Sequence, residues 1–175
     1  MGNTILKSIA VGVIGGVIAS WIKAKVEPSL QRFGEEVYPP SKKQLALKGA
    51  DVTNQPENMP PSVLAEKVYH QFTGKELTKE QKIESLPYIH YGMGMFIGVA
   101  YVLMVNNNNK KLAFDGGVTA GAAIWSSTHG SVLPLLDLQG DVKDMPVSWW
   151  FWEFGSHLVF GVAMEQSRKV LNKVL

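Results

Sequence analysis

Four stretches of this 175-residue sequence are long and apolar enough to cross a lipid hydrocarbon core: about Ile5 to Ile22, Leu86 to Val105, Leu112 to Leu136 and Ser148 to Glu165. A crossing needs about 20 helical residues at roughly 1.5 Å each. The expected fold is therefore all-α, an integral membrane protein built as a four-transmembrane-helix bundle. Residues 1–175 form one membrane domain in this reading. Residues 23–85 form an extracytoplasmic segment between helices one and two. The first stretch has a rival reading, because Lys7, an apolar run and "VIA" before Ser20 resemble a cleavable signal peptide. The other three would hold the chain in a membrane in either case.

Lysine and arginine number 17 against 15 acids, for a net charge of +2, and no basic cluster interleaves with aromatic residues. This excludes a nucleic-acid binder as the natural reading. The absence of cysteine excludes a disulfide framework, a thiolate metal site and a thiol nucleophile.

Orientation follows from the basic residues in short loops. Lys110 and Lys111 in "NNNNKKL" join spans two and three, Arg168, Lys169 and Lys173 follow span four, and Lys7 opens span one. Four crossings place all of these on one side, the cytoplasm, with both termini there. The opposite short loop, "LDLQGDVKDMP", holds Asp137, Asp141 and Asp144 against Lys143. Trp21, Tyr88, Tyr91, Trp149, Trp150 and Trp152 mark the outer interface in the same scheme.

The segment Lys23 to Ser85 is nearly charge-balanced and rich in Pro, Gln and Asn. One or two short helices are expected within it. "PPSVLAEKVYHQF" sets Leu64, Val68 and Phe72 on one helical face, with Pro61 suited to a first turn. Thr78 and Gln81 form a capping box for a helix running into span two. His70 reads as an ordinary surface or half-buried histidine.

Helices in lipid associate through close backbone approach and interhelical hydrogen bonds. Gly12 and Gly16 with Ser20, Gly94 with Gly98, Gly117 with Gly121, and Gly161 supply small residues at four-residue spacing. Their spacing fits bundling within the chain and equally a homo-oligomer through glycine-rich faces.

Polar residues inside the apolar spans are the functional candidates. Counted inward from the aromatic boundary, His90, His129 and Glu153 fall at one depth, some 6 to 8 Å below the outer surface. His157 is one turn deeper. Glu153, His157, Gly161 and Glu165 recur every four residues as a polar stripe. An ionised carboxylate facing lipid costs several kcal/mol, so Glu153 is expected to face the bundle and find a partner. Histidine titrates near physiological pH.

Three readings stand for this layer: a hydrogen-bond cluster that fixes helix register, a site binding protons or cations through His90, His129, Glu153 and His157, and a metal or haem site. For a metal the candidate ligands are His129, Glu153 and His157. No catalytic residue is assigned and an enzyme is not expected. The Glu-to-His spacing matches no helical metalloprotease motif, and Ser126, Ser127 and Ser131 near His129 lack a nucleophile-elbow pattern. Asp115 and Glu165 are expected near the cytoplasmic interface, with basic partners and water in reach.

The glycine-rich "AVGVIGGVIASWIKAKVEP", the double proline of "VYPPSKK", "DVTNQPENMPP", the His90-bearing start of span two, "HGSVLPLL" and "WEFGSHLVF" together resemble the YagU-like family of bacterial inner-membrane proteins. In that family an arginine tends to follow the double proline, where Ser41 stands here. The resemblance implies a multi-pass protein of the bacterial cytoplasmic, or inner, membrane and adds little mechanism. The expected function is proton or cation handling, or pH sensing, at the buried His/Glu layer. The alternative is a structural or accessory membrane subunit that binds a partner through its outer segment. The lipid bilayer is the expected surrounding, no cofactor is assigned, and the sequence names no protein partner.

Overall fold

A computed structural model describes residues 2–107 and 110–175; Met1 and the Asn108 and Asn109 of the "NNNNKKL" loop lie outside them. All regular elements among the described residues are helical. The chain divides into two compact units. Unit 1 comprises Met1–Val26, Tyr91–Ile124 and Ser156–Leu175, and unit 2 comprises Glu27–His90 and Trp125–Gly155.

Helix α1, Gly2–Val37, does not stop at Ile22. Its 36 residues extend about 54 Å at the α-helical rise. The helix persists although Pro28 lies inside it and denies the Ala24 carbonyl a donor. About the first quarter of the expected outer loop, residues 23–37 of 23–85, is thus helical. Helix α2, Lys42–Leu45, opens on a Ser41–Gln44 capping box. Helix α3, Pro60–Thr73, starts on its two prolines and closes at Gly74, whose φ of 67° lets its N–H reach the His70 carbonyl. Its expected apolar stripe is not its inner face. Ser62 and Val63 are buried, whereas Val68 and Phe72 are exposed, because α3 packs through its first turn.

Helix α4, Lys79–Asn106, has the anticipated capping box: the Thr78 N–H donates to Gln81 Oε1 at 2.9 Å and the Gln81 N–H to Thr78 Oγ at 3.3 Å. Pro87, expected at a helix start, lies inside α4 because this cap begins the helix eight residues earlier. The third apolar stretch is not one helix from Leu112. Gly116 and Gly117 take positive φ of 77° and 105°, a backbone region open to glycine, and interrupt it. Helix α5, Val118–Ser127, starts after them, capped by Asp115, whose carboxylate accepts from the Thr119 N–H at 2.8 Å. It continues through a π-helical turn, Thr128–Val132, into the short α6, Leu133–Leu135. The last helical run comprises α7, Val147–Trp149, a second π turn, Trp150–Phe154, and α8, Gly155–Val174.

Two helices are long and apolar enough to cross a membrane, Thr4–Val37 and Lys79–Asn106. Of their apolar windows, 39% and 28% is buried. The positive-φ glycines interrupt the third expected span, whereas the fourth is one helical run, Val147–Val174, that widens through a π turn.

Unit 1 is held by glycine contacts. A Cβ on Gly16 would strike the Gly94 backbone, and one on Gly12 would lie 2.5 Å from Val99 Cα, so α1 and α4 meet backbone to backbone. Gly117 and Gly161 exclude each other's Cβ in the same way. The small-residue faces therefore meet within the chain. Glu165 departs from its expected watery setting. It is 1% exposed and accepts from Tyr101 Oη at 2.8 Å and from Arg168 Nε and Nη2 at 2.7 and 2.8 Å. The bidentate guanidinium and the phenol compensate its burial.

Unit 2 reverses the usual sidedness of α1. Glu27, Gln31 and Gly34 are buried, while Phe33 and Val37 are about half exposed. Gln31 Nε2 donates to Asp51 Oδ1 at 2.7 Å, and its Oε1 accepts from Thr53 Oγ1 at 2.8 Å. Asp51 also accepts from the Asn54 N–H at 2.9 Å, so "DVTN" is a folded polar knot. Trp149 and Trp152, expected at a lipid interface, are fully buried instead and cluster with Trp125, because Ala50 and Met59 from the segment before α4 pack on them. Trp149 Nε1 donates to the Gly49 carbonyl at 3.0 Å. Trp149→Phe should lower stability by about 1–3 kcal/mol, read as a lower melting temperature, since it leaves that carbonyl without its donor.

Candidate functional site

His129 and Glu153 share an unusual local geometry: each lies in one of the two π turns. Well under 1% of residues in ordinary proteins are π-helical, and such turns recur at functional sites. The first turn has a local cause. Pro134 offers no N–H to the carbonyls one turn before it, and the Ser131 hydroxyl donates to the Ser126 and Ser127 carbonyls at 3.0 and 2.8 Å. These contacts replace α-helical bonds and let the helix take one extra residue. Ser131 is thus a backbone-bonding residue, while Ser126 and Ser127 are exposed and take part through their carbonyls.

Both side chains are buried, Glu153 to 1% exposure. His129 Nε2 lies 3.4 Å from Glu153 Oε1. Trp149 forms one wall, its ring centroid 6.2 Å from the imidazole, with Trp125 5.8 Å beyond it. On the far side of the ring, His129 Nδ1 lies 2.5 Å from Gln139 Oε1. The Gln139 amide nitrogen donates to the His129 carbonyl at 3.2 Å and to the Gly140 carbonyl at 3.4 Å.

The proton count follows from these contacts. Because the Gln139 nitrogen serves two carbonyls, its oxygen must face Nδ1, and an amide oxygen only accepts. Nδ1 therefore carries a hydrogen. Nε2 then faces a carboxyl oxygen across 3.4 Å, and two lone pairs at that distance repel unless one proton joins them. That proton sits on Glu153, leaving both groups neutral, or on Nε2, giving an ion pair. In both forms the net charge of the pair is zero. Losing the proton leaves a buried negative charge and gaining another leaves a positive one, each costly among tryptophans.

Of the four residues expected to form a layer, His129 and Glu153 are in contact. His90 is half-buried on α4 in unit 2, and His157 is buried on α8 in unit 1. The expected stripe at four-residue spacing is α-helical from His157 through Gly161 to Glu165, whereas Glu153 sits in the wider turn before it. Gln139 was not anticipated. Its one sequence signal was an uncharged polar residue in an otherwise acidic loop.

A family profile described as "Protein of unknown function (DUF1440)" matches residues 29–166. The chain belongs to the DUF1440 family. The DUF1440 match begins inside α1, beyond its glycine-rich part, and includes His90, His129, Gln139, Glu153 and His157. No curated protein and no solved structure matches the chain.

Proposed function

We propose that this DUF1440 protein is a multi-pass helical membrane protein that takes up and releases a proton, or exchanges it for a cation, at the His129–Glu153 pair. The observation that carries the reading is the approach of His129 Nε2 to Glu153 Oε1, 3.4 Å apart in a buried setting, from which a shared proton is inferred. A site of zero net charge with one exchangeable proton suits exchange: when the proton leaves, a cation can balance the remaining charge.

The membrane setting is supported by the two long apolar helices and by the side chains they expose. Leu6 and Ile14 on α1 and Phe96 and Met104 on α4 are all more than a third exposed. The buried polar and exposed apolar faces of α1 in unit 2 point the same way. Four crossings with both termini in the cytoplasm, as in YagU-like inner-membrane proteins, accord with the basic residues at Lys7, Lys111, Arg168 and Lys169.

The test is proton flux in proteoliposomes with a pH-sensitive dye inside. The parent should pass protons under an imposed gradient, and Glu153→Gln, which keeps the shape and removes the acid, should abolish that flux. A parent without flux, or a variant as active as the parent, would overturn the reading.

A further inference from the structure

We propose that Gln139 is a positioning residue: it locks His129 in the tautomer protonated at Nδ1, so that Nε2 is the nitrogen that shares a proton with Glu153. Which nitrogen of an imidazole carries the hydrogen is set by the bond the other makes. Here the setting is bidentate. The Gln139 amide accepts from the ring through Oε1 and donates to the main-chain carbonyl of the same histidine through Nε2. One amide therefore fixes both the ring and the backbone that carries it.

Gln139 is itself held. It is 3% exposed, and the loop around it is pinned on both sides. The Leu138 N–H donates to the Leu133 carbonyl at 2.9 Å, and the Gly140 N–H to the Lys48 carbonyl at 3.0 Å. Two residues before Gln139, Asp137 takes a left-handed φ of 52°, and Lys48 binds its two carboxylate oxygens at 2.8 Å each while Lys67 reaches one at 3.2 Å. The hydrogen bonds from Lys48 and then Lys67 hold the Asp137 carboxyl below the usual carboxylate range, so the clamp persists well into acid. An amide anchored in this way has no second orientation to offer the ring. Without it, the neutral imidazole would be free to place its hydrogen on Nε2 and donate it to the carbonyl oxygen of a protonated Glu153, with the number of protons on the pair unchanged. That would convert a shared-proton pair into a fixed hydrogen bond.

The tautomer stands on geometry alone, whereas its consequence for proton exchange rests on the reading proposed above. The experiment is nitrogen-15 NMR of the full chain in detergent, labelled at histidine, with His129→Gln used to assign the His129 signals. The parent should show a hydrogen on Nδ1 of His129, whether the shared proton rests on Glu153 or on Nε2. Gln139→Leu should lose that single state and show the Nε2-protonated form, and Gln139→Glu, which restores an acceptor, should recover it. A parent whose His129 carries its hydrogen on Nε2 alone, or a Gln139→Leu variant with an unchanged signal, would overturn the proposal. Should Gln139→Leu not fold, the parent and Gln139→Glu spectra decide by the same criterion. Flux separates the two ideas. An inactive parent with the Nδ1 tautomer refutes the proton-handling function and leaves Gln139 in its role, whereas an active parent with the Nε2 tautomer does the reverse.

Discussion

Replacing Gly161 by leucine should abolish accumulation of folded protein, and Gly161→Ala should lower stability by about 1–3 kcal/mol or more. A Cβ at this position would lie 2.5 Å from the Gly121 nitrogen and 2.7 Å from its Cα, and would also strike the Gly117 carbonyl. All three are main-chain atoms with no rotamer to change, so relief requires two helical segments to separate. Separation removes the close contacts that substitute for hydrophobic attraction between helices in lipid. Gly92 is the control, because an added Cβ there meets nothing within 4 Å. It lies inside α4, where Gly→Ala should be neutral or stabilising by up to about 1 kcal/mol. Thermal melts in detergent would measure both. Equal effects at the two positions would refute the packing account.

The second large effect should come from breaking the buried pair. Glu153→Ala and His129→Ala are each expected to cost about 3–5 kcal/mol, since each removes one side of a buried polar pair. Converting both to leucine should cost less than the sum of the two single changes, because the contact between them is lost only once. The cycle tests the proton count independently of transport. Two additive losses would mean that the groups do not share a proton and would remove the basis of the proposed function.

Much of the local structure was legible in the sequence because it depends on neighbours in the chain. The Thr78–Gln81 box and the proline start of α3 follow from backbone donors that need partners. Their bonding residues sit three or fewer positions away. The pairing of Glu153 with a histidine was also foreseeable, since a carboxylate in an apolar segment requires compensation from somewhere. What could not be read was everything that depends on non-local burial. Val26, Leu30, Phe33 and Val37 carry a helical period through the region taken for a loop, but Pro28 and the abrupt gain of charge obscure it. The same period suggests the wrong inner face, since α1 buries Gln31 there and exposes Phe33. Trp149 and Trp152 resemble an interfacial belt until the polar knot at Asp51 and the Gly49 carbonyl reveal a folded cover. Gln139 is invisible in advance because its role comes from a loop returning ten residues later to the ring it holds.

The two π turns carry a last consequence. Each holds one residue more than an α-helical turn, and returning either to the common form would rotate the side chains beyond it by about 100°. Such a rotation is enough to carry His129 or Glu153 out of the other's reach while no helix melts. Opening and closing of the pair by this route would leave far-ultraviolet circular dichroism almost unchanged. The near-ultraviolet signal of Trp149, tilted against the imidazole, and of Trp125 next to it would be the place to see it.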